Sequence, residues 1–213
     1  MTAYPVSNIE LAQIGNSNNE TACTALKLPN SRAISDHGML SLAKFHNLTH
    51  LDLSNCEFLS DPTAAIIHRA MPQLTYLDIS KTAITDVGIV EMLQYCIHIE
   101  TLKIKDTQHL KDSGMLAVHK LCKVQKNLRN VDFSGSRCFS NEALISLLAD
   151  GGIVLDEINL TRCTQVNDLG MTGMCNPKNC KVLKISKCCI HDETMSWIAE
   201  GCRKLEELDV QVS

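Results

Sequence analysis

At 213 residues the chain has the length of one or two globular domains, and 45% hydrophobic with 21% charged residues is the balance of an ordinary folded protein. No apolar run approaches the roughly 18 residues that a membrane span requires. A formal charge of −4 gives no general attraction to nucleic acid or anionic lipid.

The first residues, MTAYPVSNIELAQIG, have neither the basic start and apolar centre of a secretory signal nor the arginines of a transit peptide. Ser7-Asn8-Ile9-Glu10 reads as a capping box that opens a short helix to about Ile14. The turn-rich Asn16-Ser17-Asn18-Asn19 then leads into a strand. From there one apolar spacing recurs eight times: Cys23-x-x-Leu26-x-Leu28, Leu48-x-x-Leu51-x-Leu53, Leu74-x-x-Leu77-x-Ile79, Ile99-x-x-Leu102-x-Ile104, Leu128-x-x-Val131-x-Phe133, Leu155-x-x-Ile158-x-Leu160, Cys180-x-x-Leu183-x-Ile185 and Leu205-x-x-Leu208-x-Val210. The starts step by 25, 26, 25, 29, 27, 25 and 25 residues.

A period in the twenties with this core predicts an α/β leucine-rich repeat solenoid of about eight repeats, with one strand and one helix each. Each repeat buries its apolar side only against its neighbours, so residues 23–213 are expected to be one continuous solenoid behind an N-terminal cap at 1–22.

Two further columns keep the same register. Three residues past each strand stands a small polar or thiol side chain: Ser31, Cys56, Thr82, Thr107, Ser136, Cys163 and Cys188. There the backbone leaves the ladder and its polar groups need local partners. Asp36, Asp61, Asp86, Asp112, Asn141, Asp168 and Asp192 follow, as expected helix N-caps, four of them in an Asp-x-Gly motif. Apolar residues spaced three and four apart, such as Ile89, Met92, Leu93 and Cys96, then mark the inward face of a helix.

Two turns of the repeat depart from the rule. The 29-residue step predicts an extended helix near Leu116–Lys126, and Asn176-Pro177-Lys178-Asn179 cuts another helix short. The last strand, with Leu205, Leu208, Val210 and Val212, reads as an uncapped edge that a partner would cover.

Eleven cysteines would suggest a disulfide framework in a secreted chain. Here most fall on core positions of the repeat, so they read as small buried hydrophobes in a reducing, intracellular compartment, the cytoplasm first, with mitochondrion or cilium as alternatives. No Cys-x-x-Cys pair occurs. Cys163, Cys188, Cys189 and His191 fall near one another, but ladder packing accounts for the first two without a metal. With no converging catalytic set and no glycine-rich phosphate loop, the expectation is a non-enzyme without cofactor or metal.

Leu-x-x-Leu-x-Leu-x-x-Cys at Leu48–Cys56 and Leu155–Cys163, the Asp-x-Gly motif and the helix-ending Cys96, Cys122 and Cys202 resemble the cysteine-containing leucine-rich repeats of the ribonuclease-inhibitor-like superfamily. Such repeats occur in F-box/LRR ubiquitin-ligase receptors, in coupling-factor-B-like mitochondrial proteins and in LRR subunits of ciliary complexes. The resemblance implies a curved solenoid, strands on the concave side and helices outside, without catalysis. Residues 1–22 are too short for an F-box.

The strand positions between the core residues then form the expected partner surface. One column reads Lys27, Asp52, Asp78, Lys103, Asp132, Asn159, Lys184 and Asp209; beside it stand His50 and Tyr76 as candidate anchors. A basic run, Lys103, Lys105, Lys111, Lys120, Lys123, Lys126 and Arg129, falls on the long repeat, interrupted by Asp106 and Asp112. The leading expectation is an LRR adaptor that binds a protein partner by its strand face or C-terminal edge, with no nucleic-acid or small-molecule ligand. The alternatives are a structural subunit of a large multi-subunit complex and the substrate-recognition part of an F-box/LRR-type ligase.

Overall fold

The computed structural model describes residues 5–17, 19–149 and 155–211. Val212 of the expected edge lies outside them. The chain divides into two compact units, Met1–Lys103 and Ile104–Ser213.

The first unit opens with helix α1, Asn8–Gly15, on the capping box read from sequence: Glu10 N–H donates to Ser7 Oγ, and Ser7 N–H to Glu10 Oε2. Strand–helix units follow in strict alternation: β1 Ala25–Lys27, α2 Asp36–Met39, β2 His50–Asp52, α3 Asp61–Ala70, β3 Tyr76–Asp78, α4 Asp86–Tyr95 and β4 Thr101–Lys103. The four strands are parallel and paired in sequence order, with Ala25, His50, Tyr76 and Thr101 aligned.

The second unit repeats the plan. It contains α5 Asp112–Gln125, β5 Asn130–Asp132, α6 Asn141–Ala149, β6 Glu157–Asn159, α7 Asp168–Met171, β7 Val182–Lys184, α8 Asp192–Gly201 and β8 Glu207–Asp209. Its strands are parallel too, with Asn130, Glu157, Val182 and Glu207 in line. Helices α2 and α7 are single turns continued by 3-10 segments at Leu40–Leu42 and Thr172–Cys175, the second where Pro177 ends the helix. At 14 residues α5 is the longest described helix, as the 29-residue step predicts.

Three-residue strands cannot stand alone, and their stability comes from burial. The central residue of each inner strand, Leu51, Leu77, Leu102, Val131, Ile158 and Leu183, is buried between sheet and helix, as are the flanking Leu48, Leu74, Ile99, Leu128, Leu155 and Cys180. Burying one such side chain contributes about 1.5–3 kcal/mol. The same spacing that makes the strand in sequence therefore holds it to the helix layer.

Beyond each strand the chain turns through one left-handed residue: Asn30, Asn55, Lys81, Asp106, Gly135, Arg162 and Lys187, with φ between 49° and 75°. The strain is small, about 1 kcal/mol for a non-glycine residue. It is offset by a bond to the neighbouring repeat, such as Asn30 N–H to Ser54 O at 2.7 Å or Gly135 N–H to Thr161 O at 2.8 Å. Sequence reading missed this column, because Asn, Lys, Asp, Gly and Arg in turn carry no shared signature.

Candidate functional site: the strand face and the columns that frame it

At the strand exit the thiols have a physical task. Cys56 Sγ donates to Leu28 O at 3.2 Å, Cys163 Sγ to Phe133 O at 3.2 Å and Cys188 Sγ to Leu160 O at 3.0 Å. Ser136 Oγ does the same for Ile104 O. Each side chain reaches back one repeat to a carbonyl that the turn has taken out of the ladder, and a buried orphan acceptor would cost about 1–3 kcal/mol. Burial pushes the Cys56 and Cys188 thiols up to about 11, and Cys163 is raised further by burial and the adjoining Cys188. Thiols held this way are protonated donors at neutral pH, not nucleophiles. Cys138 and Cys189 are the exposed cysteines. Among the described residues no three His, Cys, Asp or Glu side chains are placed to hold a metal ion.

At the helix entrance the structure corrects the sequence reading. The acidic column does not supply N-caps. Ser35, Ser60, Thr85, Lys111, Asn167 and His191 have the extended cap conformation, and the Asp after each is already the first helical residue. Its carboxylate still lies at the positive end of the helix, but it reaches forward one repeat.

Asp61 accepts from Thr85 N–H and Thr85 Oγ1, both at 2.7 Å. Asp36 takes Ser60 N–H at 2.9 Å, Ser60 Oγ at 2.6 Å and the Thr63 hydroxyl at 2.5 Å. Asp112 takes Ser140 N–H, Asn141 takes Asn167 N–H, and Asp168 takes His191 N–H. Asn8 of α1 begins the series on Ser35, so α1 serves as the helical half of a repeat. The signal that could have located the caps was the Ser/Thr/Asn at five of the seven preceding positions.

The Asp-x-Gly motif follows from the same contact. A Cβ on Gly88 would lie 2.5 Å from Asp61 Oδ1, and one on Gly170 would lie 2.3 Å from Asn141 Oδ1. Glycine here makes room for the previous repeat's acceptor. Where Thr63 or Thr194 replaces it, the hydroxyl turns into the same acceptor as a further donor.

These bonds shift protons. Burial opposes ionisation of Asp36, yet the Ser60 and Thr63 bonds together hold it below the usual carboxylate range. Desolvation likewise works against Asp168, and the Thr194 and His191 bonds hold it down to about 2. His191 is raised by its ring bond to Asp168, Nδ1 to Oδ2 at 2.6 Å, and by that charge.

Between the two columns lies the strand face. In the first unit His50, Tyr76 and Lys103 form a run across three strands. The His50 and Tyr76 rings stack at 5.8 Å and 14°, and Lys103 Nζ sits 5.4 Å from the centre of the Tyr76 ring. Burial raises the Tyr76 hydroxyl, while the Lys103 cation opposes the rise.

Asp52 and Asp78 stand two residues further along the strands and share a local duty. Each accepts the N–H two residues on, Ser54 at 2.9 Å and Ser80 at 3.0 Å, which closes the turn out of the strand. Asp78 is buried, and desolvation raises its pKa.

In the second unit Asp132 and Asn159 do the same for Ser134 and Thr161. Lys184 lies between Glu157 at 3.7 Å and Glu207 at 3.5 Å. At the expected edge, Leu208 is 39% exposed and Leu205 and Val210 are half-buried.

One more glycine is placed by a contact. A Cβ on Gly135 would collide with Asp106, which pairs with Arg162 two repeats on by bridging over it. The other residues of the left-handed column carry side chains, so glycine's freedom of φ is not what this position uses.

The stacked strand–turn–helix unit, with a buried leucine lattice and two columns of side-chain bonds between repeats, defines an α/β repeat protein. The family described as "Leucine Rich repeat" matches residues 46–62 and 71–93. These are the repeats of an α/β leucine-rich repeat fold. The chain is also similar to a chain in the crystal structure of the Rad7 and Elc1 complex in yeast, at 14% identity and a TM-score of 0.45, over 96% of this chain. It spans 66% of the length of that chain. Among the described residues no helix is long and apolar enough to cross a membrane.

Proposed function

We propose that the chain is a non-catalytic protein-interaction module, an LRR adaptor that holds a protein partner on the strand face of its first unit. The observation that carries this is the His50–Tyr76–Lys103 run. Asp52, Asp78, Asp132 and Asn159 have work within the fold, closing turns, and Lys184 lies between two glutamates. No turn is closed and no core filled by the His50 and Tyr76 rings. An aromatic pair stacked beside an ammonium group supplies a large, rigid contact at low entropic cost, as interface hot spots do.

A reducing, intracellular compartment belongs to the same reading. It is supported by thiols that serve the fold as hydrogen-bond donors, a role that oxidation would remove.

The test is affinity capture with mass spectrometry, then titration of the captured partner against Tyr76→Ala combined with Lys103→Glu. Loss of a central aromatic anchor costs about 2 kcal/mol or more, so binding should weaken at least about thirtyfold at an unchanged melting temperature. Undiminished affinity would overturn the reading. Asp78→Arg is unsuitable, because it removes the acceptor for Ser80 and inserts a cation into a buried position.

A further inference from the structure

The 29-residue repeat places its extra length in one place. Helices α4 and α8 end at Cys96 and Cys202, three residues before the next apolar motif. In α5 the equivalent Cys122 is buried in the same way, but the helix runs on to Gln125 and closes at Lys126 in the left-handed conformation. Leu128 comes six residues after Cys122, so three of the four extra residues of this repeat lie here. The core does not require them, since α4 and α8 pack without them.

The inserted turn changes the outer face of α5. Met115, Val118, Leu121 and Cys122 face the core. The opposite side exposes Leu116, Lys120, Lys123 and Val124, with Lys126 just beyond. Leu116 is 45% and Val124 70% exposed. Eight residues apart, they stand about 12 Å apart along the helix on one side, with the lysines between and beside them.

Two acidic residues interrupt the basic run in sequence, and both make contacts within the fold. Asp106 pairs with Arg162, and Asp112 is the acceptor for Ser140 N–H. Asp112 is the sole carboxylate in the α5 sequence.

We propose that this face of α5 is a docking surface for an acidic amphipathic helix of a protein partner, two of whose apolar side chains cover Leu116 and Val124 while its carboxylates meet Lys120, Lys123 and Lys126. The argument is charge complementarity around a small apolar strip. Two aliphatic side chains two turns apart match the anchor spacing of a helix laid along a helix. Lipid is the poorer fit: interfacial helices present a wide apolar face with Trp or Phe, and α5 contains no Phe, Trp or Tyr. RNA is poorer as well, for this face has no ring or guanidinium on which bases could stack. A net charge of −4 also repels any extended polyanion, but much less so a short acidic segment that meets only this face.

This surface is separate from the His50–Tyr76–Lys103 run, and the two are tested independently. The probe is a display library of helical peptides with leucines fixed eight positions apart and flanking positions drawn from Glu, Lys, Ser and Ala, selected on the full chain. Selection should enrich Glu at the flanks. Lys120→Glu combined with Lys123→Glu should weaken the selected peptides at least about tenfold and make a fresh selection favour Lys. Tyr76→Ala should leave their affinity unchanged.

No enrichment of Glu, or equal binding to the charge-reversed chain, overturns the proposal. So does retention of the chain by phosphatidylserine vesicles or a single-stranded RNA, but not by the peptides, when the same double variant abolishes it. Thermal melting of the variants checks the fold, and Val124→Ser, which leaves every charge in place, should weaken binding by itself.

Discussion

The strand exit and the helix entrance of each repeat solve one problem in opposite ways. At both, the chain leaves regular structure and its backbone groups must find partners in the adjacent repeat. At the exit the orphan is a buried carbonyl, answered by a neutral donor, Cys163 on Phe133 or Ser136 on Ile104. At the entrance it is a partly exposed N–H, answered by a charged acceptor, Asp61 on Thr85 or Asp168 on His191. The contrast shows why cysteine recurs at the exit and aspartate at the entrance. Each is a small side chain that supplies the missing polarity at that depth.

The sharpest way to break this contrast is Cys163→Ala. It leaves the Phe133 carbonyl without its thiol in a dry site and should cost about 2–3 kcal/mol in urea unfolding. Cys163→Ser keeps a donor and should cost under about 1 kcal/mol. Equal losses for the two would mean that the thiol acts only by volume.

At the entrance, Asp61→Ala removes the acceptor for both Thr85 bonds and should cost about 2 kcal/mol. Asp61→Asn should cost about 0.5 kcal/mol, because Asn8 and Asn141 already hold this position with an amide oxygen. Gly88→Ala should cost about 1–2 kcal/mol by displacing the Asp61 carboxylate, so its effect and that of Asp61→Ala should not add.

The smallest effect is in pH. The raised His191 lends stability that is complete below its ordinary pKa and fades as pH rises through the raised value. The lowered Asp168 lends stability that is present above its ordinary value and is lost as pH falls towards about 2. The pair is therefore at full strength between about pH 4 and 6. His191→Ala should destabilise the protein in that window and converge with the parent as pH rises through the raised value of the imidazole. Exposure of 78% at the imidazole keeps the difference modest. A difference that grows with pH would contradict the assignment.

Sequence periodicity located every strand, the capping box at Ser7 and the long α5, because burial and local geometry leave period and spacing behind them. It misplaced the caps by one residue, since Asp is favourable both as a cap and in the first turn, and only the backbone angles distinguish the two. The partners of the acidic column were hidden for another reason: they lie one repeat away, at 23–28 residues of separation. On the strand face, His50 and Tyr76 were legible as candidates, but their stacking and the approach of Lys103 depend on ring orientation, which spacing does not encode. Asp52 and Asp78 looked the same as their neighbours until the bonds from Ser54 and Ser80 gave them a role in the turn.

The most direct test of the central claim, that the strand face of the first unit is the partner surface, is site-specific photo-crosslinking in cells with benzoylphenylalanine at position 76 or at the exposed position 87 on α4. The account predicts a discrete crosslinked protein from position 76 that disappears when Lys103→Glu is added, and none from position 87. A discrete product from position 87 with none from position 76 would contradict it.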